Sequence, residues 1–87
     1  ISSRLLLADA MQRVRRSGFR PICVDATVIL QSPRLLPYVE RMRANLAEDL
    51  SLPPQAVSVK AKTKEGVDAV GEGRAVEAYA VALVETP

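Results

Sequence analysis

The sequence predicts a small α+β domain in which two helices lie on one face of a mixed β-sheet. Two segments carry apolar side chains at every third or fourth residue, which is the spacing of an amphipathic helix. Three other segments carry alternating or continuous apolar residues, which is typical of strands. These segments follow one another in the order α-β-α-β-β, and 87 residues suffice for one domain.

The first helix is predicted for residues 3–17 and the first strand for residues 22–30. Apolar residues share one face of this helix: Leu6, Leu7, Ala10, Met11 and Val14. Gly18 suits the left-handed position that commonly follows the end of a helix. In the strand, side chains alternate between two faces, and the one that carries Val24 is apolar throughout.

The second helix is predicted for residues 37–50 and the second strand for residues 57–63. Pro37 fits the first helical position, where its missing N–H group costs nothing. The helix has its own apolar stripe, formed by Val39, Met42, Leu46 and Leu50. We expect a loop at residues 51–55 and a glycine-rich turn at residues 65–73.

The last strand, predicted for residues 74–85, is apolar on both of its faces. One side carries small residues between two valines: Val76, Ala78, Ala80, Ala82 and Val84. The other side carries Tyr79, Val81 and Leu83. Because two helices can cover only one face of the sheet, we expect a second copy of the chain to cover the other, with the alanines allowing close packing there. The alternative is that further residues of the same chain cover it.

Composition excludes several classes of function. A net charge of +2, without a basic stripe that carries aromatic residues, argues against a nucleic-acid partner. The chain has no histidine and a single cysteine, so it cannot build an ordinary transition-metal site or an internal disulfide alone. Cys23 lies in an apolar strand pattern and is expected to be a small core residue. No segment is apolar for long enough to cross a membrane, and the cytoplasm is the expected compartment.

Two segments at predicted strand ends could bind a ligand. The stretch QSPRLLP, residues 31–37, is stiffened by two prolines, exposes backbone groups that can bind a flat base edge, and carries Arg34 as a charge for a phosphate. The stretch VKAKTKEG, residues 59–66, ends in a hydroxyl, a carboxylate and lysines, which suit phosphate and Mg²⁺. Taken singly, the first stretch is better explained as a tight connection that starts a helix, and the second as a solvated, charged strand end.

Together these segments resemble the C-terminal part of the 2-C-methyl-D-erythritol 2,4-cyclodiphosphate synthase family. The resemblance rests on VDATVILQSPRLLPYVERMR with AEDL, on VSVKAKTKEG and on GEGRAVEAYAVALV. It extends over essentially the whole chain. It implies that residues 1–87 form a single domain that is the C-terminal portion of such a synthase, and the start at Ile1 rather than Met agrees with a fragment.

The resemblance also implies a set of site residues. Cytidine and its diphosphate would be bound by Leu30, Gln31, Ser32, Pro33, Arg34, Leu35, Leu36, Ala61, Lys62, Thr63 and Lys64. Thr63 would be the catalytic residue, stabilising the transition state at the phosphates. Glu65 would hold Mg²⁺ or Mn²⁺ through the diphosphate. Arg34 stands where the family usually has lysine, and Lys62 and Lys64 stand where it commonly has threonine.

The family's activity and assembly follow as expectations. The substrate is 4-diphosphocytidyl-2-C-methyl-D-erythritol 2-phosphate, which cyclises with release of CMP. The family works as a homotrimer with active sites between subunits, and its Zn²⁺ ligands lie in the N-terminal portion, so none is expected in this chain. The chain alone is expected to be inactive. Two alternatives remain open at this stage: a non-catalytic trimeric module that binds a nucleotide or metabolite, and fusion to a cytidylyltransferase domain.

Overall fold

The fold consists of one three-stranded sheet with helices packed against it. The computed structural model describes residues 2–32, 34–63 and 67–86. Its helices and strands are α1 (Ser3–Arg16), β1 (Arg20–Ile29), α2 (Val39–Leu50), β2 (Val57–Lys62), α3 (Asp68–Gly71) and β3 (Glu77–Glu85). Short 3₁₀ turns precede α2 and β2, at Leu36–Tyr38 and Pro54–Ala56. The predicted α+β class and mixed sheet are confirmed.

The strands are ordered β2-β1-β3, with β1 at the centre. β1 pairs in parallel with β2, in a register that joins Val24 to Val57. It pairs antiparallel with β3, and Val24 is there opposite Ala82. The parallel pair brings the carboxyl ends of β1 and β2 to the same edge of the sheet.

α2 packs on β2 and forms the main core. Ala47, Val57 and Val59 are buried together, and partly buried apolar residues surround them: Val39, Met42, Leu46 and Leu52. α1 lies against α2, where Met11 is only 6% exposed. Its N-terminus is capped by Ser2, whose Oγ accepts a hydrogen bond from the Arg4 N–H group at 3.2 Å. Beyond its end Gly18 has φ of +86°, as expected for a residue that reverses the chain.

The alanine side of β3 lies on the face that carries α2, not on the opposite face. Ala82 and Val57 both pair with Val24, and residues paired across a sheet point to the same face. The expectation that these alanines pack against another copy on the far face is therefore wrong. The far face of β3 instead carries Tyr79, Val81 and Leu83.

The expectation that Cys23 is a small core residue is also wrong, because Cys23 is exposed. It is paired with Leu83 on the far face of the sheet, which no helix of the described residues is seen to cover. The alternation of side chains along β1 indicates which residues share a face with Cys23. It does not indicate which of the two faces α2 covers.

The predicted glycine-rich turn contains a further helix, the single turn α3. Asp68, at φ of +61°, accepts hydrogen bonds through Oδ1 from the N–H groups of Val70 and Gly71, at 2.9 and 3.3 Å. The chain then folds back, because the N–H groups of Arg74 and Ala75 bond to the carbonyl of Ala69. This is why β3 begins at Glu77 and not at residue 74.

None of the helices in residues 2–32, 34–63 and 67–86 combines the length and apolar character needed to cross a membrane.

Candidate functional site

The candidate site lies where the two parallel strands end. β1 ends at Ile29 and β2 ends at Lys62, and these two residues are paired in register. One more backbone hydrogen bond follows the strands, from the Leu30 N–H group to the Lys62 carbonyl at 3.0 Å. Ligands of open α/β sheets characteristically bind outside the carboxyl ends of strands, where the chain leaves the sheet and its backbone groups become available.

The segment after β1 turns sharply into α2. The Tyr38 N–H group donates to the Leu35 carbonyl at 2.8 Å, which closes a 3₁₀ turn over Leu36–Tyr38. Pro37 lies inside that turn, so the predicted helix over residues 37–50 begins with a 3₁₀ turn and becomes α-helical at Val39. This tight turn holds Leu35 and Leu36 near the end of β2.

A cavity of about 290 Å³ opens between the two segments. It is lined by Leu30, Arg34, Leu35, Leu36, Ala61, Lys62 and Thr63. Four of these residues provide apolar walls, and the others provide two cations and a hydroxyl. An apolar cleft with a few polar groups is the usual form of a small-molecule site.

The structure brings together seven of the predicted site residues, and they come from both sequence segments. Gln31 is half-buried and Ser32 is exposed, and neither lines the cavity. Pro33, Lys64 and Glu65 lie outside the described residues. The parallel pairing is what joins Arg34 to Thr63 in one site, and it is not visible in either segment taken alone.

The charge at this cavity is positive. Within the described ranges neither Arg34 nor Lys62 forms an ion pair, whereas Lys60, two residues before Lys62, pairs with Asp25 at 3.3 Å. The cavity therefore presents cations to an incoming ligand, and an anionic group would be favoured there.

Sequence analysis missed one polar pair near this edge of the sheet. The Tyr79 hydroxyl donates to Glu77 Oε2 at 2.6 Å, and Glu77 is paired with Ile29 at the end of β1. This hydrogen bond to a carboxylate raises the pKa of Tyr79, so the hydroxyl stays protonated and remains a donor. Their two-residue spacing on one strand was the available signal.

The described residues contain no group of three potential metal-ligating side chains. This part of the chain therefore does not fit a zinc ion, in agreement with the lack of histidine. Glu65, the residue expected at a magnesium ion, lies outside the described ranges.

A larger cavity, of about 410 Å³, lies at the other end of β1 between Arg15, Arg20 and the end of α2. Both arginines are used within the fold: Arg15 donates to the Leu50 carbonyl at 3.4 Å, and Arg20 pairs with Glu85. The two cations of this cavity already bind other parts of the fold and are less available to a ligand. We therefore do not assign the site to this cavity.

The sequence and the fold were compared with known proteins. The model of the YgbB family matches residues 1–85. A curated relative from Laribacter hongkongensis, named 2-C-methyl-D-erythritol 2,4-cyclodiphosphate synthase, is 52% identical over 84 residues, which are 97% of this chain and 52% of the relative. The chain thus spans about half the length of the curated relatives it matches.

Solved structures agree with this result. A 2C-methyl-D-erythritol 2,4-cyclodiphosphate synthase from Plasmodium vivax has a TM-score of 0.94 at 29% identity, over 99% of this chain and 57% of that one. A synthase of the same name, solved in a CDP-bound form, has a TM-score of 0.88 at 27% identity, over 98% of this chain and 54% of that one.

Proposed function

Because the chain belongs to the YgbB family, we propose that the protein containing it is a 2-C-methyl-D-erythritol 2,4-cyclodiphosphate synthase of the non-mevalonate isoprenoid pathway. The proposed reaction converts 4-diphosphocytidyl-2-C-methyl-D-erythritol 2-phosphate to the cyclic diphosphate and releases CMP. The observation that carries the proposal is the single cavity that Arg34, Thr63 and their apolar neighbours form at the ends of β1 and β2.

The apolar part of the cavity is assigned to the cytosine base. Leu30, Leu35 and Leu36 provide walls, and the tight turn after Leu35 presents backbone groups of fixed geometry to the edge of the base. Arg34 is assigned to a phosphate, because a guanidinium group donates to phosphate oxygens in a planar, two-pronged geometry. A CDP-bound solved structure of the same fold supports a cytidine nucleotide as the ligand.

The chemistry needs no nucleophile from the protein. An oxygen of the substrate's 2-phosphate attacks the β-phosphorus, and the bond from that phosphorus to the oxygen shared with the α-phosphate breaks. That oxygen and its electron pair leave with CMP. The protein therefore acts by holding the two phosphates in line and stabilising the charge that develops, and Thr63 is the hydroxyl donor assigned to this task.

The proposal includes two metal ions, and neither is assigned to a residue that the structure describes. A divalent ion such as Mg²⁺ or Mn²⁺ would neutralise charge on the diphosphate, and Glu65 is the residue proposed to hold it. Zn²⁺ is expected to be bound by residues outside these 87, so no role for it is derived from this structure.

The proposed assembly is a homotrimer with active sites between subunits. The far face of the sheet supports contact with another copy, because Tyr79 and Val81 are 60% and 72% exposed there. The cytoplasm is the proposed compartment, and neither a nucleic acid nor a membrane is proposed as a partner.

The proposal is tested by filling the cavity in the full-length protein. Ala61→Phe places a ring where the base is proposed to bind, and we expect affinity for CDP to fall about tenfold or more, with CMP release from the substrate falling as well. Ala44→Phe is the matched control, because Ala44 is exposed on α2 and does not line the cavity. It should leave binding and turnover unchanged.

The wild-type result separates this function from its alternative. CMP release together with CDP binding supports the synthase. CDP binding without CMP release, in a zinc- and magnesium-loaded sample, identifies a non-catalytic binding module instead. If CDP does not bind, or if Ala61→Phe binds it as well as the wild type does, the cavity is not the nucleotide site.

A further inference from the structure

Four arginines lie near the amino end of β1, at the opposite end of the strand from the proposed nucleotide site. Arg13, Arg15 and Arg16 belong to the last turn of α1, Arg20 begins β1, and all four are exposed. Because β1 ends at Ile29, these arginines are about 30 Å along the strand from that site. None of them lines the nucleotide cavity.

Two of these positive charges have no carboxylate partner within the described part of the chain. Arg13 and Arg20 each form an ion pair with a nearby carboxylate. Arg15 and Arg16 instead donate to backbone carbonyls, and at 3.4 Å both hydrogen bonds are long and weak. A carbonyl does not cancel the charge, and each guanidinium group retains further N–H donors. Arg15 and Arg16 thus leave this end of the molecule positive.

Apolar side chains form a cavity beside these arginines. Phe19, where the chain passes from α1 to β1, is 40% exposed. It lines a cavity of about 320 Å³ together with Val14, Val84, Arg13 and Ser17. Phe19 also lines a neighbouring cavity, of about 490 Å³, with two of the arginines. The unpaired charges therefore lie next to concave apolar surface.

This combination is typical of a surface that binds another protein. Cations at the C-terminus of a helix favour the helix, but that effect requires neither an aromatic residue nor a cavity beside them. Protein interfaces have an apolar centre and are enriched in arginine and aromatic residues. A membrane surface offers no side chain to fill a concave pocket, and a net charge of +2 with few aromatic residues argues against nucleic acid.

We propose that the end of α1 and the start of β1 bind an acidic segment of another protein. One apolar side chain of this segment fills the cavity that Val14, Phe19 and Val84 line, and carboxylates next to it pair with Arg15 and Arg16. Complementary charge steers the encounter and sets the orientation of the segment. The inference goes beyond the proposed function, because this surface shares no residue with the nucleotide cavity.

The experiment selects ligands for the full-length protein from a phage-displayed library of short random peptides. We expect the enriched peptides to combine aspartate or glutamate with a leucine, isoleucine or phenylalanine. Fluorescence anisotropy should show that the double variant Arg15→Gln/Arg16→Gln binds them about tenfold more weakly, and that Phe19→Ala also loses affinity. Arg41→Gln is the matched control, because Arg41 is exposed on α2 and lines neither cavity. It should bind as the wild type does.

Further readouts locate the binding surface. Added salt should weaken peptide binding, because it screens exposed charges, and excess CDP should not displace the peptides. All variants should release CMP at the wild-type rate, and circular dichroism checks that each is folded. If Phe19→Ala lowers the melting temperature, the double arginine variant alone decides the outcome.

Four results would each overturn the inference. They are a selection that does not enrich acidic peptides with an apolar residue, wild-type affinity in Arg15→Gln/Arg16→Gln, an equal loss in Arg41→Gln, and displacement of the peptides by CDP. Tighter binding of a single-stranded oligonucleotide or of phosphatidylserine vesicles would assign the surface to another class of partner and overturn it as well. Peptide binding by a protein that releases no CMP would overturn the proposed function alone.

Discussion

At the scale of single residues, Thr63 is the residue with the most specific proposed role in the reaction. It directly follows the last residue of β2 and lines the cavity together with Arg34. A hydroxyl directly after a strand is held by that strand, so its position is defined better than that of a residue in a long loop. Such a group can stabilise a transition state without contributing much to ground-state binding.

We therefore predict that Thr63→Ala lowers the rate of CMP formation by about a hundredfold and CMP affinity by less than about threefold. Loss of a donor used mainly in the transition state lowers kcat, while the base pocket is unchanged. Steady-state kinetics and equilibrium CMP binding check this, with Thr63→Ser as the variant that keeps the hydroxyl. Equal losses in kcat and in CMP affinity would assign Thr63 to ground-state binding instead.

At the scale of elements, Arg4 joins the two longer helices through ion pairs. The Arg4 guanidinium on α1 binds Asp49 on α2 with two nitrogens, at 2.9 and 2.7 Å to its carboxylate oxygens. The Asp49 side chain is 14% exposed, while Arg4 is half-exposed. The hydrogen bond from Arg4 holds the pKa of Asp49 below its ordinary value of 3.8. α1 thus depends on a charged contact as well as on Met11.

The depressed pKa of Asp49 predicts how stability depends on pH. A carboxyl whose pKa is lower when folded contributes stability above the unfolded value of 3.8, and loses it as the pH falls through the folded value. Asp49→Asn should lower the melting temperature at neutral pH, and the difference from wild type should shrink as the pH falls below 3.8.

The control for this prediction is Asp9→Asn, because Asp9 pairs with Arg13 within α1 and forms no ion pair with a second element among the described residues. An exposed pair within one helix contributes little, so this variant should melt close to the wild type. A difference between Asp49→Asn and wild type that is the same at neutral and acidic pH would show that the charge of Asp49 is not the cause.

At the scale of the molecule, the described residues leave an apolar surface exposed on the far face of the sheet. Tyr79, Val81 and Leu83 stand in a row on β3 there, each more than half exposed. A single chain with such a face gains stability by burying it against another surface. Proposed contact with other copies would use this row, not the alanines on the α2 side.

Val81→Glu is accordingly expected to convert a trimer of the full-length protein into monomers, because a carboxylate buried between subunits would lack a partner. Native mass spectrometry measures the number of subunits, and circular dichroism checks that each subunit is folded. Gln12→Glu, which adds the same charge on the exposed side of α1, should leave the assembly intact. Folded Val81→Glu trimers would exclude this face as the subunit interface.

The two segments that form the candidate site could be recognised in the sequence. That they line one cavity could not be predicted from either segment alone. The residue pattern indicated both segments only as candidates, and the resemblance to the synthase family assigned residues 30–36 and Thr63 to the site. Gln31 and Ser32 were included with their neighbours but do not line the cavity, since a local pattern does not specify which way a turn residue faces. The Tyr79–Glu77 pair was missed although its two-residue spacing on one strand was a local signal.

The sequence by itself determined the order and type of the main elements, because helical and strand periodicity depend on neighbouring residues alone. The tertiary structure decided which face of the sheet α2 covers, and with it the exposure of Cys23 and the side on which the β3 alanines lie. It also decided that Arg34 and Thr63 line the same cavity. These outcomes depend on strand register and on parallel pairing between β1 and β2, which join residues far apart in the chain and have no local sequence signal.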